Sequence, residues 1–246
     1  MSKIEIMNIK MNNIDDDDVN VKYISGSEDY LIPLVFPDYK IHVELRNSYT
    51  EWLKEYSPEF LNKYIGEDGV KVPYLGHAGV LLINGQSGIT KYYEYGRYPP
   101  GVLGRTRNVP IKDVVITPKK MITITSLKKL LRQLSEISGQ KGRIEGGILR
   151  SDGIYNKAVE YCKKKIEEND DSERKPYSMY DNSCVTFVQE LTLHLGFKLP
   201  AIVSNTTVER YLTSKIPTLY MHQFQSIITV RDLFYYYETD KLEVNF

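Results

Sequence analysis

The sequence predicts an α+β fold, an antiparallel sheet packed against a helix that carries a cysteine. Three observations predict it. Residues 74–83 are an apolar run, Asn84-Gly85-Gln86-Ser87-Gly88 is turn chemistry, and residues 89–95 return with alternating tyrosines, the pattern of a β-hairpin. Leu127, Leu130, Leu131, Leu134 and Ile137 form one helical stripe within residues 126–138. Residues 183–195 form a second helix that opens on Ser183-Cys184 and is stopped by Gly196 and Pro200.

The other elements follow in chain order. Residues 1–24 begin polar, and Asp15-Asp16-Asp17-Asp18 reads as a solvated loop or arm. The alternation and the glycine of a calcium loop are missing there. Residues 30–45 read as strand, with Pro33 and Pro37 confining it to an edge or irregular position. Residues 48–65 read as helix, with Ser48 as cap and Trp52, Leu53, Tyr56, Phe60, Leu61 and Tyr64 at helical spacing. A short strand is expected at residues 114–116. Asp152 is expected to cap a helix reaching about residue 167, and residues 168–175 read as a charged, mobile linker. Residues 206–214 read as helix and 227–230 as strand.

At 246 residues the chain can bury one large core or two small ones. Lys+Arg and Asp+Glu are both 32, so no overall field favours nucleic acid. A 41% hydrophobic and 26% charged composition is that of a soluble globular protein. The 20 tyrosines, against 7 Phe and 1 Trp, suit sites that handle sugars or peptides, and equally suit core edges with wet hydroxyls. Two cysteines cannot build a disulfide framework. The first residues lack the apolar core of a secretory signal, and no stretch is apolar enough to span a bilayer. Synthesis in the cytoplasm is therefore expected, with any export by a route that bypasses a signal peptide. There is no paired-histidine metal motif, P-loop or dinucleotide fingerprint, so neither cofactor nor metal is expected.

Two cysteines compete for a nucleophile's role. Cys162 shares a four-residue spacing with Ile154, Ala158 and Ile166, which marks it as core. Cys184 begins the apolar stripe Cys184, Val188, Leu191, Leu195, so burial is the plain reading for it too. Its position separates the two. Cys184 stands in the first helical turn behind Asp181, Asn182 and Ser183, any of which can cap. A helix N-terminus favours the thiolate, the reactive form of cysteine.

Of four histidines, His194 lies roughly 15 Å further along the same helix and about 80° round it, which excludes it as a partner. His42 and His222 read as surface or core-edge residues. His77, between Gly76 and Ala78-Gly79 and ahead of Val80-Leu81-Leu82-Ile83, is fixed at the mouth of a rigid strand, a good place for a base. Folding the hairpin about Gly85-Gln86 sets Glu94 opposite His77, where it can orient the imidazole. A one-residue change of register substitutes Tyr95. Arg97, Arg105 and Arg107 are placed to hold an anionic substrate group, although loop arginines are more often solvated.

Asn182-Ser183-Cys184-Val185-Thr186-Phe187-Val188 opening a helix, preceded by His77-Ala78-Gly79-Val80 opening a strand, resembles the circularly permuted papain-like enzymes. In ordinary papain-like and NlpC-type hydrolases the cysteine comes first. In the permuted branch, which includes lecithin:retinol acyltransferase-like proteins and some bacterial cell-wall amidases, the histidine does. The histidine hairpin with Tyr92-Tyr93-Glu94-Tyr95-Gly96-Arg97-Tyr98 also resembles antibacterial effectors of type VI secretion systems that attack peptidoglycan peptides. The resemblance implies a permuted papain-like core at residues 66–200, with an N-terminal extension (1–65) and a C-terminal extension of the same domain (201–246). It implies Cys184 as nucleophile, His77 as base and Glu94 as orienting group, with Tyr95, Arg97 and Asn182 against a peptidoglycan peptide. A cognate immunity protein and a secretion-apparatus carrier are the implied partners. The alternatives are a thioesterase or acyltransferase using the same site, and a non-catalytic binding module on the same scaffold.

Overall fold

The computed structural model describes residues 28–42, 71–72, 76–98, 103–178, 181–202, 206–227 and 229–244. The acidic run at 15–18 and the helix expected at 48–65 lie outside these residues. Seven strands form one antiparallel sheet: β1 (Asp29–Phe36), β4 (His77–Ile83), β5 (Thr90–Gly96), β6 (Arg105–Val109), β7 (Ile144–Ser151), β8 (Arg231–Tyr236) and β9 (Lys241–Val244). Their spatial order is β6-β5-β4-β1-β7-β8-β9, while β2 (Ile41–His42) and β3 (Lys71–Val72) pair separately. The helices are α1 (Ile124–Ser138), α2 (Ile154–Glu167), α3 (Cys184–His194), α4 (Thr207–Lys215) and α5 (Pro217–Gln225).

Period-two alternation divides the sheet into two buried faces. On one, Tyr30, Ile32, Leu34, Leu81, Ile83 and Tyr92 pack beneath the leucines of α1. On the other, Leu31, Val35, Val80, Leu82 and Tyr93 pack against α2, α3 and α5. Helix α3, which carries Cys184, lies across β4 and β5. Cys162 of α2 is fully buried in that second layer.

Several expectations need correcting. The strand at 29–36 is central and buried throughout, not an edge. Pro33 is accommodated because the β1–β7 ladder omits Ile32 and Pro33, at the point where proline has no N–H to donate. The hairpin register pairs Glu94 with Gly79, two residues from the pairing expected with His77. Because the shift is even, Glu94 keeps the face that His77 occupies. Residues 114–116 contribute only an isolated bridge, Ile116 with Ile122. The strand expected at 227–230 begins instead at Arg231. In α1, Ile137 is 49% exposed, and Ser135 and Ser138 take its place on the buried face.

Two loops are better fastened than their composition suggests. Asp152 does not cap α2, whose N-cap is Gly153. The Asp29 carboxylate of β1 accepts the Tyr155 N–H at 3.0 Å and the Gly85 N–H at 3.1 Å, and so ties α2 to the β4–β5 turn. The charged stretch after α2 is pinned to the edge of β6. Asn169 exchanges two hydrogen bonds with the Thr106 backbone, at 2.9 and 2.7 Å, and Arg174 donates to the Gly104 carbonyl at 3.0 Å.

Candidate active site

Ser183 is the N-cap of α3, in extended conformation with φ −124° and ψ 178°. It forms a reciprocal capping pair with Thr186: the Ser183 hydroxyl accepts the Thr186 N–H, and the Thr186 hydroxyl accepts the Ser183 N–H. Cys184 is thereby the first helical residue, where backbone N–H groups have no intrahelical acceptor. The chain leading in is braced as well. Ser178 and Asn182 exchange backbone hydrogen bonds of 3.0 Å, and Lys175 pairs with Asp181 at 2.6 Å.

His77 starts β4, directly across from Phe36 of β1. Gly76 enters it with φ +73°, and a Cβ there would stand 3.0 Å from the Phe36 carbonyl oxygen, so glycine suits the position on both counts. The imidazole stacks on Phe36, at 6.3 Å between ring centres, and meets Tyr39 at 5.2 Å. One ring nitrogen, Nε2, lies 3.1 Å from Oε2 of Glu94. Cys184 stands beside the same imidazole, near enough to raise its pKa by hydrogen bonding and by charge. Since Glu94 holds Nε2, Nδ1 is the nitrogen left for the thiol. The Tyr177 hydroxyl also hydrogen-bonds Cys184. Cys184 is 4% exposed and His77 8%.

Glu94 is completely buried and fully satisfied. Its Oε2 accepts from Tyr92 Oη at 3.1 Å in addition to His77. Its Oε1 accepts from Tyr98 Oη at 3.0 Å and from the Arg107 guanidinium. Gly79 makes room for this arrangement, because a Cβ at 79 would fall 2.2 Å from Tyr92 Oη.

The charges follow from these contacts. Burial alone pulls the His77 pKa down, but its hydrogen-bond and charge interactions with Cys184 and Glu94 outweigh it and raise the value to about 10. Burial pushes Glu94 up, and its bonds and charge interactions with His77 and Arg107 bring it down to about 2. At neutral pH the site holds a carboxylate between two cations. Burial raises Tyr92 and Tyr98, and the Glu94 charge raises them further, so both remain neutral donors. Burial alone pushes the Cys162 thiol up, which suits an inert core cysteine.

Residues 31–196 match the family model described as type VI secretion system effector TseH-like. The chain belongs to this family. The crystal structure of the type VI secretion system effector TseH has a TM-score of 0.67 at 35% sequence identity, covering 90% of this chain and 100% of that one. No curated protein matches. The TseH-like match contains His77, Glu94, Arg107 and Cys184, and stops before β8 and β9. Among the described residues of this TseH-like effector, no helix is long and apolar enough to cross a membrane.

The other candidate residues of this TseH-like effector are placed differently. Tyr95 points to the opposite face from Glu94, stacks on Tyr177 at 5.8 Å between ring centres, and accepts from Asn182 Nδ2 at 2.8 Å. Asn182 also donates to the Lys175 and Pro176 carbonyls, so these two candidate substrate residues hold the approach to Cys184 in place. They line a cavity of about 200 Å³ with Phe187, Arg174 and Glu190, and neither Cys184 nor His77 lines it. Arg97 is exposed beyond the end of β5. His194 packs on Tyr161, and His222 lies 3.6 Å from Glu145. Nothing local in the sequence marks Tyr92 and Tyr98 as donors or distinguishes Arg107 from a loop arginine. Alternation along β6, had that strand been recognised, would have placed Arg107 opposite Glu94.

Proposed function

We propose that this TseH-like effector is an antibacterial cysteine amidase or peptidase that cleaves peptide amides of peptidoglycan. One observation carries the reading: a cysteine at a helix N-terminus stands beside an imidazole whose Nε2 is held by a buried carboxylate. That is the arrangement nucleophilic cysteine chemistry requires. The chain order, His77 before Cys184, supports a permuted papain-like core.

The Cys184 thiolate attacks the amide carbonyl carbon, and the carbonyl electron pair moves onto oxygen. The Cys184 N–H at the start of α3, which the Tyr177 hydroxyl now engages, is the donor that oxyanion would take over. His77, protonated at neutral pH, gives its Nδ1 proton to the leaving nitrogen as the C–N bond breaks and an acyl-cysteine forms. The neutral imidazole then takes a proton from water, the hydroxide attacks the thioester, and the thiolate departs. Glu94 keeps Nε2–H engaged throughout. It fixes the ring and stabilises the imidazolium without itself being protonated.

Family membership supports delivery by a secretion apparatus and a cognate immunity protein in the producing cell. In a Gram-negative host, cytoplasmic expression is expected to be nearly harmless, because mature peptidoglycan is absent from the cytoplasm. Directing the same chain to the periplasm with an added signal peptide is expected to cause rounding or lysis, and Cys184→Ala to abolish it. Equal toxicity without the signal peptide would reject a cell-wall substrate and favour a cytoplasmic thioester or lipid ester.

A further inference from the structure

Arg107 reaches the site from β6, the edge strand, rather than from the elements that carry Cys184 and His77. The two oxygens of Glu94 are divided. Oε2 serves His77 and Tyr92, whereas Oε1 serves Arg107 and Tyr98. The guanidinium bonds Oε1 through Nε and a terminal nitrogen and lies over the Tyr98 ring, 3.9 Å from its centre. A carboxylate is free to turn about its last bond until both oxygens are engaged, and only then does Oε2 point one way. Groups facing Glu94 are therefore His77 from β4, Tyr92 from its own strand, Tyr98 from the segment after β5, and Arg107 from β6. Tyr39 and Cys184 stand behind His77.

We propose that Arg107 is a positioning residue: by holding Oε1 of Glu94 it fixes Oε2 on His77 Nε2 and so keeps the imidazole aimed at the Cys184 thiol. Its effect on catalysis rests on the cysteine-hydrolase reading, but its effect on the imidazole does not. Arg107 itself is half exposed, with its side chain 43% accessible, so replacing it leaves no large core cavity. A merely structural role at the sheet edge would change stability and leave the Nε2–H bond untouched.

The test is NMR of the His77 Nε2–H proton, read with Cys184 replaced by alanine so that the signal does not depend on the nucleophile. The parent is expected to show a downfield, exchange-protected resonance that disappears in Glu94→Gln. Arg107→Gln is expected to speed its exchange by about tenfold or more, the worth of a charge-assisted hydrogen bond. Arg107→Lys, which keeps the charge but not the fork, is expected to fall between. In the Cys184-containing protein, Arg107→Gln is expected to slow alkylation of that thiol by about tenfold as well. Parent-like exchange in a folded Arg107→Gln protein would overturn the proposal, even if hydrolysis by Cys184 were established. If Arg107→Gln does not fold, parent-like exchange in Arg107→Lys overturns it. Fast exchange with no hydrolysis in any variant would instead sustain Arg107 and reject the enzyme reading.

Discussion

Replacing Cys184 by alanine is expected to reduce amide hydrolysis by on the order of 10⁴-fold or more, because no other group can form the acyl intermediate. The same change is expected to cost only about 1–2 kcal/mol of stability, since one small side chain is lost. Cys162→Ala supplies the contrast. Cys162 is fully buried among α2 and sheet residues, and its variant is expected to lose a comparable amount of stability while hydrolysing at the parent rate. Initial rates and urea midpoints of the two variants measure both effects. A fully active Cys184→Ala protein would refute the mechanism.

Glu94→Leu is expected to be the most damaging single change to the fold of the site. It would strand His77, Arg107 and the hydroxyls of Tyr92 and Tyr98, all of which now donate to one buried carboxylate. Removing one partner of a buried ion pair costs about 3–5 kcal/mol. The pH dependence has a definite sign. The folded pKa of Glu94, about 2, lies below its ordinary 4.5, so the unfolded chain takes up this proton first. Its stabilisation is complete above about 4.5 and is lost as pH falls towards 2. His77 runs the other way. Its folded pKa, about 10, exceeds the ordinary 6.5, so its contribution is complete below 6.5 and fades as pH rises through 10. Urea midpoints across pH are expected to show an acid decline that Glu94→Gln removes and an alkaline decline that His77→Ala removes. Identical profiles in parent and variants would refute this account of the network.

What was legible in the sequence was local. The β4–β5 hairpin shows itself through its turn residues, α1 through its leucines, and the start of α3 through Ser183 ahead of an apolar stripe. The hairpin and the start of α3 place His77, Glu94 and Cys184. What stayed hidden depends on neighbours distant in the chain. Pro33 argues against a central strand, and nothing nearby reveals that the β7 ladder will skip it. Gly146-Gly147 carries no strand pattern, yet it lies in a strand paired to β1 on one side and β8 on the other. Arg105-Thr106-Arg107-Asn108-Val109 has little apolar character and follows Pro99, Pro100, Gly101 and Gly104, so β6 looks like surface. The role of Arg107 was lost with it, because an arginine shows its partner only once the strand is paired. Asp29 capping α2 from 126 residues away is the same lesson in a helix.

The proposed function is hydrolysis of a peptide amide of peptidoglycan through a Cys184 acyl-enzyme. Mass spectrometry of purified muropeptides after incubation tests it most directly. The parent protein is expected to split the stem peptide or its cross-link into a new amine and a new carboxylic acid, with a net gain of one water, and Cys184→Ala is expected to leave the muropeptides intact. Unchanged muropeptides with a folded parent protein whose Cys184 is alkylated rapidly would contradict it and direct the search to thioesters and lipid esters.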